Sequence, residues 1–160
     1  MNKQSFTRQT LIKADLDQTW QFFSNPRNLP LITPPDMRFR ILNEDVPSQI
    51  SGGMIIRYRV NPIWGIPVIW ETEISAVEPG HFFIDVQKRG PYAQWEHTHV
   101  FELHRDGVLM TDHVLYRLPA GMAGDRLMGS VVKRRLRQIF DYRERQISSI
   151  FNASTYASTH

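Results

Sequence analysis

The chain has 160 residues, 41% of them hydrophobic and 22% charged, with a formal net charge of +3. That length supports one domain with a single substantial core, and the composition excludes wholesale disorder. Cysteine is absent, which excludes a disulfide framework and cysteine-based metal or nucleophile chemistry; the modest charge neither demands nor excludes an anionic partner.

The N-terminal MNKQSFTRQT lacks the apolar stretch of a signal peptide, and no apolar run approaches the roughly 20 residues that span a bilayer. Cytoplasmic residence without a membrane span is the expectation. Residues 6–12 alternate in polarity and predict a first strand. Asp15 and Gln18 form a D-x-x-Q helix start ahead of Leu16, Trp20 and Phe23, which share one face. Asn25 and Pro26 restart a short second helix as cap and first helical residue, and Thr33-Pro34-Pro35 ends it.

From Met37 the period moves towards two, and residues 37–42, 54–60 and 66–76 predict strands separated by Gly or Pro. Met54, Ile56 and Tyr58 form an apolar face against Ile55, Arg57 and Arg59; Val68, Trp70, Thr72 and Ile74 do the same against Ile69, Glu71, Glu73 and Ser75. Residues 82–88 form another strand whose inward face the pattern leaves open: Phe82, Ile84 and Val86, or Phe83, Asp85 and Gln87.

Residues 94–118 read as a hairpin around Arg105-Asp106-Gly107. Trp95, His97, His99, Phe101 and Leu103 share one face of its first strand; Val108, Met110, Asp112, Val114, Tyr116 and Leu118 share the more apolar face of its second. Both sets must reach the same side of the sheet. A four-residue loop, residues 104–107, achieves this by pairing Leu103 with Val108, which puts Asp112 opposite His99 and Tyr116 opposite Trp95. A three-residue loop with a bulge is the competing turn. Inward polar groups need partners, because an unpaired buried one costs roughly 2–7 kcal/mol. A cavity lined by them is the preferred reading.

Residues 124–151 predict a helix about 40 Å long. Met128, Val132, Leu136, Ile139, Ile147 and Ile150 form its apolar stripe, which Arg143 interrupts and Val131, Phe140 and Phe151 widen. Residues 152–160 read as a polar, frayed tail, leaving 1–151 as the single domain. The element order implies an α+β fold: a curved antiparallel sheet gripping a long C-terminal helix, with two short helices after the first strand and a ligand cavity between sheet and helix.

The helix pair, GPYAQWEHTHVFE at 90–102, Asp112-His113-Val114 with Tyr116, and IFDYR at 139–143 resemble the START-related helix-grip superfamily, in particular the bacterial polyketide-cyclase/dehydrase-like (SRPBCC) ligand-binding proteins. The resemblance runs from about residue 6 to 151 and implies the same fold. It leaves activity open, because the superfamily mixes lipid carriers, hormone receptors and aromatases.

His97 and His99 with Asp112 admit three readings. The leading one is a polar network that fixes the sheet and the pocket; the second is acid/base catalysis beside a polyketide-like ring; the third is a three-ligand metal site. Tyr58 and Tyr116 are pocket candidates through their inward hydroxyls, and Trp70 and Trp95 through ring stacking, with plain core packing as the counterpart. Arg143 can anchor a ligand carboxylate, pair with Asp85 or Asp112, or snorkel. Lys133, Arg134, Arg135 and Arg137 read as a solvated helix face, with anionic-membrane or regulatory binding as a third class of function; no nucleic-acid motif surrounds them. No phosphate loop, G-x-S-x-G or H-E-x-x-H occurs, and neither metal nor cofactor is expected. The expected function is binding of a small, largely apolar or aromatic, lipid-like ligand. The alternative is a cyclase, dehydratase or aromatase-type enzyme using His97 or His99 with Asp112. A homodimer is compatible with the sequence.

Overall fold

The computed structural model describes residues 3–157, the side chains of 153–157 excepted. Seven antiparallel strands form one sheet in the order β1-β7-β6-β5-β4-β3-β2. They are β1 (Gln4–Ile12), β2 (Arg40–Ile41), β3 (Ile55–Val60), β4 (Val68–Glu78), β5 (Phe82–Arg89), β6 (Gln94–His104) and β7 (Gly107–Arg117). Helix α1 (Leu16–Phe23) and two 3-10 helices (Pro26–Ile32, Pro35–Met37) follow β1, and the long α2 (Gly121–Ala157) closes the chain.

Local chemistry explains the starts. The Asp15 side chain accepts from the Gln18 amide and caps α1; the Asn25 side chain accepts from the Arg27 amide and caps the first 3-10 helix. That second helix is 3-10 throughout, with Pro30 inside it. The expected strand at 37–42 shrinks to Arg40–Ile41, because Met37 belongs to a 3-10 turn and Arg38 adopts a left-handed conformation (φ 47°). The β6–β7 pairing has the expected register, Leu103 with Val108, His99 with Asp112 and Trp95 with Tyr116. His104 also pairs with Gly107, so only Arg105 and Asp106 lie between the strands and the turn carries no bulge. Gly107 is required there: its φ is 145°, and a Cβ would run into the Ile12 carbonyl oxygen of β1. Leu103 is a correction. It lies at the hairpin tip, 78% exposed, beyond the reach of the core.

The open face of β5 is now decided. Phe83, Asp85 and His99, His97 pair across β5–β6, so Phe83 and Asp85 share the inward side with the histidines. Along β4 the pairing with β5 shifts register between Glu71 and Thr72 and again between Ile74 and Ala76. Such irregularities bend a strand and increase its twist.

Helix α2 lies across the inward face. Val132, Leu136, Phe140, Ile147 and Phe151 are its buried hydrophobic residues among those described, and Ile139 and Ile150 are half-buried. Side chains from opposite elements fix its position. Arg8 on β1 donates to Asp141 (2.7 Å) and Glu144 (2.9 Å). Arg135 donates to the Pro62 carbonyl (2.8 Å) and Asp36 (2.6 Å). The basic cluster is therefore split: Lys133, Arg134 and Arg137 are exposed, whereas Arg135 is a tether. The helix continues to Ala157, into the segment expected as a tail; the remainder of that expectation, 158–160, lies outside the described residues. Among the described residues no helix is long and apolar enough to cross a membrane.

Candidate functional site

The strand period places His97 and His99 on one face of β6, two residues apart, with rings 3.7 Å apart between centroids. Neighbouring strands supply a carboxylate on each side. From β7, Asp112 Oδ1 accepts from His97 Nε2 at 2.9 Å. From β5, Asp85 Oδ2 accepts from His99 Nε2 at 2.9 Å and lies 3.8 Å from His97 Nδ1. His99 Nδ1 lies 3.0 Å from the same Asp112 oxygen but off the line of a hydrogen bond. Thr72 on β4 donates to Asp85 Oδ1 at 3.3 Å, and Phe83 stacks on His99 at 4.0 Å. The four groups form one buried network across three strands.

Its electrostatics separate two otherwise equivalent imidazoles. Burial, then the adjacent His99, pushes His97 below its ordinary value despite its carboxylate neighbours. Burial also opposes charge on His99, but Asp112 and Asp85 together outweigh it and raise its pKa. For Asp112, burial alone would raise the carboxyl; the hydrogen bond from His97 and the closeness of both imidazoles reverse that and hold it well below the usual carboxylate range. Asp85 is lowered against the same burial, by His99, His97 and Arg143.

A cavity of about 160 Å³ lies between the sheet and α2. Asp85, His97 and His99 form one part of its wall; Tyr58, Trp70 and Trp95 form another, and Arg143 contributes from the helix. The aromatic part is self-supporting: Tyr58 stacks on Trp70 (5.9 Å between centroids), and Trp95 meets Trp70 edge-on (5.3 Å). Burial, then the negative charge of Asp85, raises the Tyr58 phenol well above its ordinary value, so its hydroxyl stays protonated. The Arg143 guanidinium lies 5.0 Å over the Phe140 ring. Its Nε and the Trp70 Nε1 are buried, and neither has a hydrogen-bond partner among the described residues.

Five of the expected ligand or catalytic residues thus meet at the cavity with Arg143: His97, His99, Tyr58, Trp70 and Trp95. Asp112 and Tyr116 do not reach it. Asp112 is 1% exposed and stands behind the histidines. Tyr116, expected as a pocket hydroxyl, packs with Val132, Leu136 and Phe140 in the core, and its hydroxyl donates to Gln4 Oε1 at 3.1 Å. It lies beside the cavity-lining Trp95 on the same face, and the α2 side chains packed on it remove it from the cavity. The site also contains Asp85 and Tyr92, which sequence reasoning did not select. The signal for Asp85 was the inward histidine pair itself: two buried imidazoles call for more than one acceptor.

No family sequence model and no curated protein sequence matches the chain. Solved structures do. Protein Ms6760 from Mycobacterium smegmatis is 18% identical, with 96% of this chain and 98% of that chain covered and a TM-score of 0.67. Ginseng (Panax ginseng) major latex-like protein 151 is 16% identical over 93% and 97%, with a TM-score of 0.69. The di-domain ARO/CYC StfQ of the steffimycin biosynthetic pathway is 12% identical over 96% and 52%, with a TM-score of 0.70. At such identities the likeness is one of fold. The sheet order, the long closing helix and these structural neighbours together give this chain an SRPBCC-like helix-grip fold.

Proposed function

We propose that the protein binds a small, largely apolar or aromatic ligand carrying an acidic oxygen, held in the cavity between sheet and α2. The observation that carries this reading is Arg143: a guanidinium set into an apolar helix stripe, on the cavity wall, with a buried Nε that no described residue satisfies. A buried unsatisfied donor costs about 1–3 kcal/mol, more when charged, and a ligand carboxylate, phenolate or enolate would remove that cost. Trp70 Nε1 is a second donor of the same kind. The volume suits a compact molecule; a cavity of roughly 150 Å³ admits benzene. Tyr58, Trp70 and Trp95 would supply flat stacking surfaces.

The test compares benzoic acid with its methyl ester by quenching of tryptophan fluorescence. The acid should bind at least tenfold more tightly, and the preference should vanish in Arg143→Met. Equal affinity for acid and ester in the unaltered protein would sink the reading.

A second reading is acid/base chemistry of the cyclase or dehydratase type, favoured by one observation: His97 and His99 line the cavity while Asp112 stands behind them, hydrogen-bonded to His97. Asp112 would then orient His97, which would exchange a proton with the ligand. Turnover of a bound polyketide-like substrate should fall by about 10²–10⁴ on His97→Gln. Turnover undiminished in both His97→Gln and His99→Gln would dismiss it.

A further inference from the structure

We propose that Asp85, His97 and His99 form a binding site for one divalent first-row transition ion, with Asp112 as the outer carboxylate that orients both imidazoles. One donor atom from each of the three residues lies within 4.8 Å of the other two. Two of the edges are 2.9 Å, from His99 Nε2 to Asp85 Oδ2, and 3.8 Å, from His97 Nδ1 to the same oxygen. Ligands held about 2.0–2.2 Å from a common ion stand roughly 3.0–3.5 Å apart at octahedral to tetrahedral angles. These two edges bracket that range, and the third, between the two imidazoles, is at most 4.8 Å, so the rings turn towards each other to complete the triangle.

The arrangement behind the triangle strengthens the case. A histidine that ligates a metal through one nitrogen ordinarily donates its other ring N–H to a carboxylate or carbonyl. Here the nitrogens left over from the triangle, His97 Nε2 and His99 Nδ1, lie 2.9 and 3.0 Å from one oxygen of Asp112. His97 already donates to it. His99 is in reach but misaligned, and its Nδ1 has no hydrogen-bond partner among the described residues. The ion would replace the hydrogen that now joins His99 Nε2 to Asp85. The ring's remaining hydrogen would then sit on Nδ1, aimed at Asp112, and the orphaned atom would be satisfied.

Two imidazoles and one carboxylate suit Zn²⁺, Fe²⁺ or Co²⁺ better than Mg²⁺ or Ca²⁺, which favour oxygen ligands. All three ligands line the cavity, so the remaining coordination positions open onto it. This differs from the donor set suggested by the sequence, His97, His99 and Asp112, because Asp112 lies on the far side of the rings. The site does not depend on the proposed organic ligand, and it is measured without one.

The experiment uses the full chain, stripped with a chelator and titrated with Co²⁺ and then Zn²⁺. Equilibrium dialysis should find one ion per chain. The Co²⁺ form should show two exchangeable, hyperfine-shifted ring N–H resonances in its proton spectrum, one for each protected imidazole, a readout that needs no variant. Asp85→Asn should weaken Zn²⁺ binding at least 100-fold, and Asp112→Asn about 10- to 100-fold through ring orientation. Circular dichroism would verify that each variant is folded. Absence of stoichiometric binding, fewer than two shifted resonances, or binding unchanged by Asp85→Asn would overturn the proposal, the last by assigning the ion to surface histidines. Any of these results leaves the acid-against-ester comparison untouched.

Discussion

The same two strands build two very different environments. At one end of β5 and β6, Phe83 and Phe101 pack with Trp20 of α1 (6.0 and 5.4 Å between centroids), and Phe23 and Phe151 complete a close-packed aromatic cluster. Two residues beyond Phe83 on β5 and four before Phe101 on β6, the inward positions hold Asp85 and His97 and border the cavity. The Phe83–His99 stack is the seam between the two. Inward direction alone therefore does not specify a core. What differs is the element opposite: α1 and the end of α2 fill the first region, while the middle of α2 presents Arg143 and leaves the second open. The packed end supplies stability that a polar, incompletely filled region cannot.

Three changes would break or sharpen that contrast. The largest effect is expected from Phe101→Ala, a truncation inside the aromatic cluster at a residue 3% exposed. It should cost about 3–5 kcal/mol by urea unfolding, while the acid preference of the cavity persists. A cost below 1 kcal/mol would mean that the cluster is not the stabilising half. Arg143→Met should act in the opposite sense. Removing the unsatisfied buried donor should raise stability by about 1–3 kcal/mol even as it abolishes the preference for an acidic ligand. A destabilised variant would show that the guanidinium belongs to the structure rather than to a ligand.

The subtlest expectation concerns pH in metal-free protein. His99 has a folded pKa above the unfolded value of about 6.5, so its contribution is fully present below that pH and fades as pH rises through the folded value. His97 is lowered; its contribution is complete above about 6.5 and fades as pH falls towards its folded value. Urea midpoints between pH 5 and 9 should thus lose their alkaline slope in His99→Gln and part of their acid slope in His97→Gln. Below that range Asp85 and Asp112 add a separate acid loss, because their depressed carboxyls stabilise fully above about pH 4 and lose that effect as pH falls through their folded values. Identical profiles for the two variants would contradict the asymmetry between the rings.

The hairpin register was legible because only one alignment turns His97, His99 and Asp112 to the same side as Phe101 and Met110. The caps at Asp15 and Asn25 were legible from local chemistry alone. Strand β5 was not. One candidate face is wholly apolar and the other carries Asp85 and Gln87, yet the more polar one points inward because partners from β4 and β6 satisfy Asp85, a fact that no local pattern carries. Tyr116 faces the expected side, but how far α2 reaches over it is a tertiary property. Leu103 failed for a simpler reason: alternation continues past the point where the core ends. The paired carboxylates around the histidines became visible only once three strands were aligned.

The register shifts on β4 have a consequence for how this site can change over time. They flank Thr72 and Ile74, the residues of β4 nearest the Asp85 edge of the cavity. The curvature there is built into the backbone ladder, in the count of residues between hydrogen bonds. Side-chain substitutions can therefore redecorate the wall and alter which molecule fits, while the span between sheet and helix stays the same. Widening that span would take an insertion or deletion in β4 or β5, so ligand preference and cavity gauge can drift independently, one by point substitution and the other only by changes in strand length.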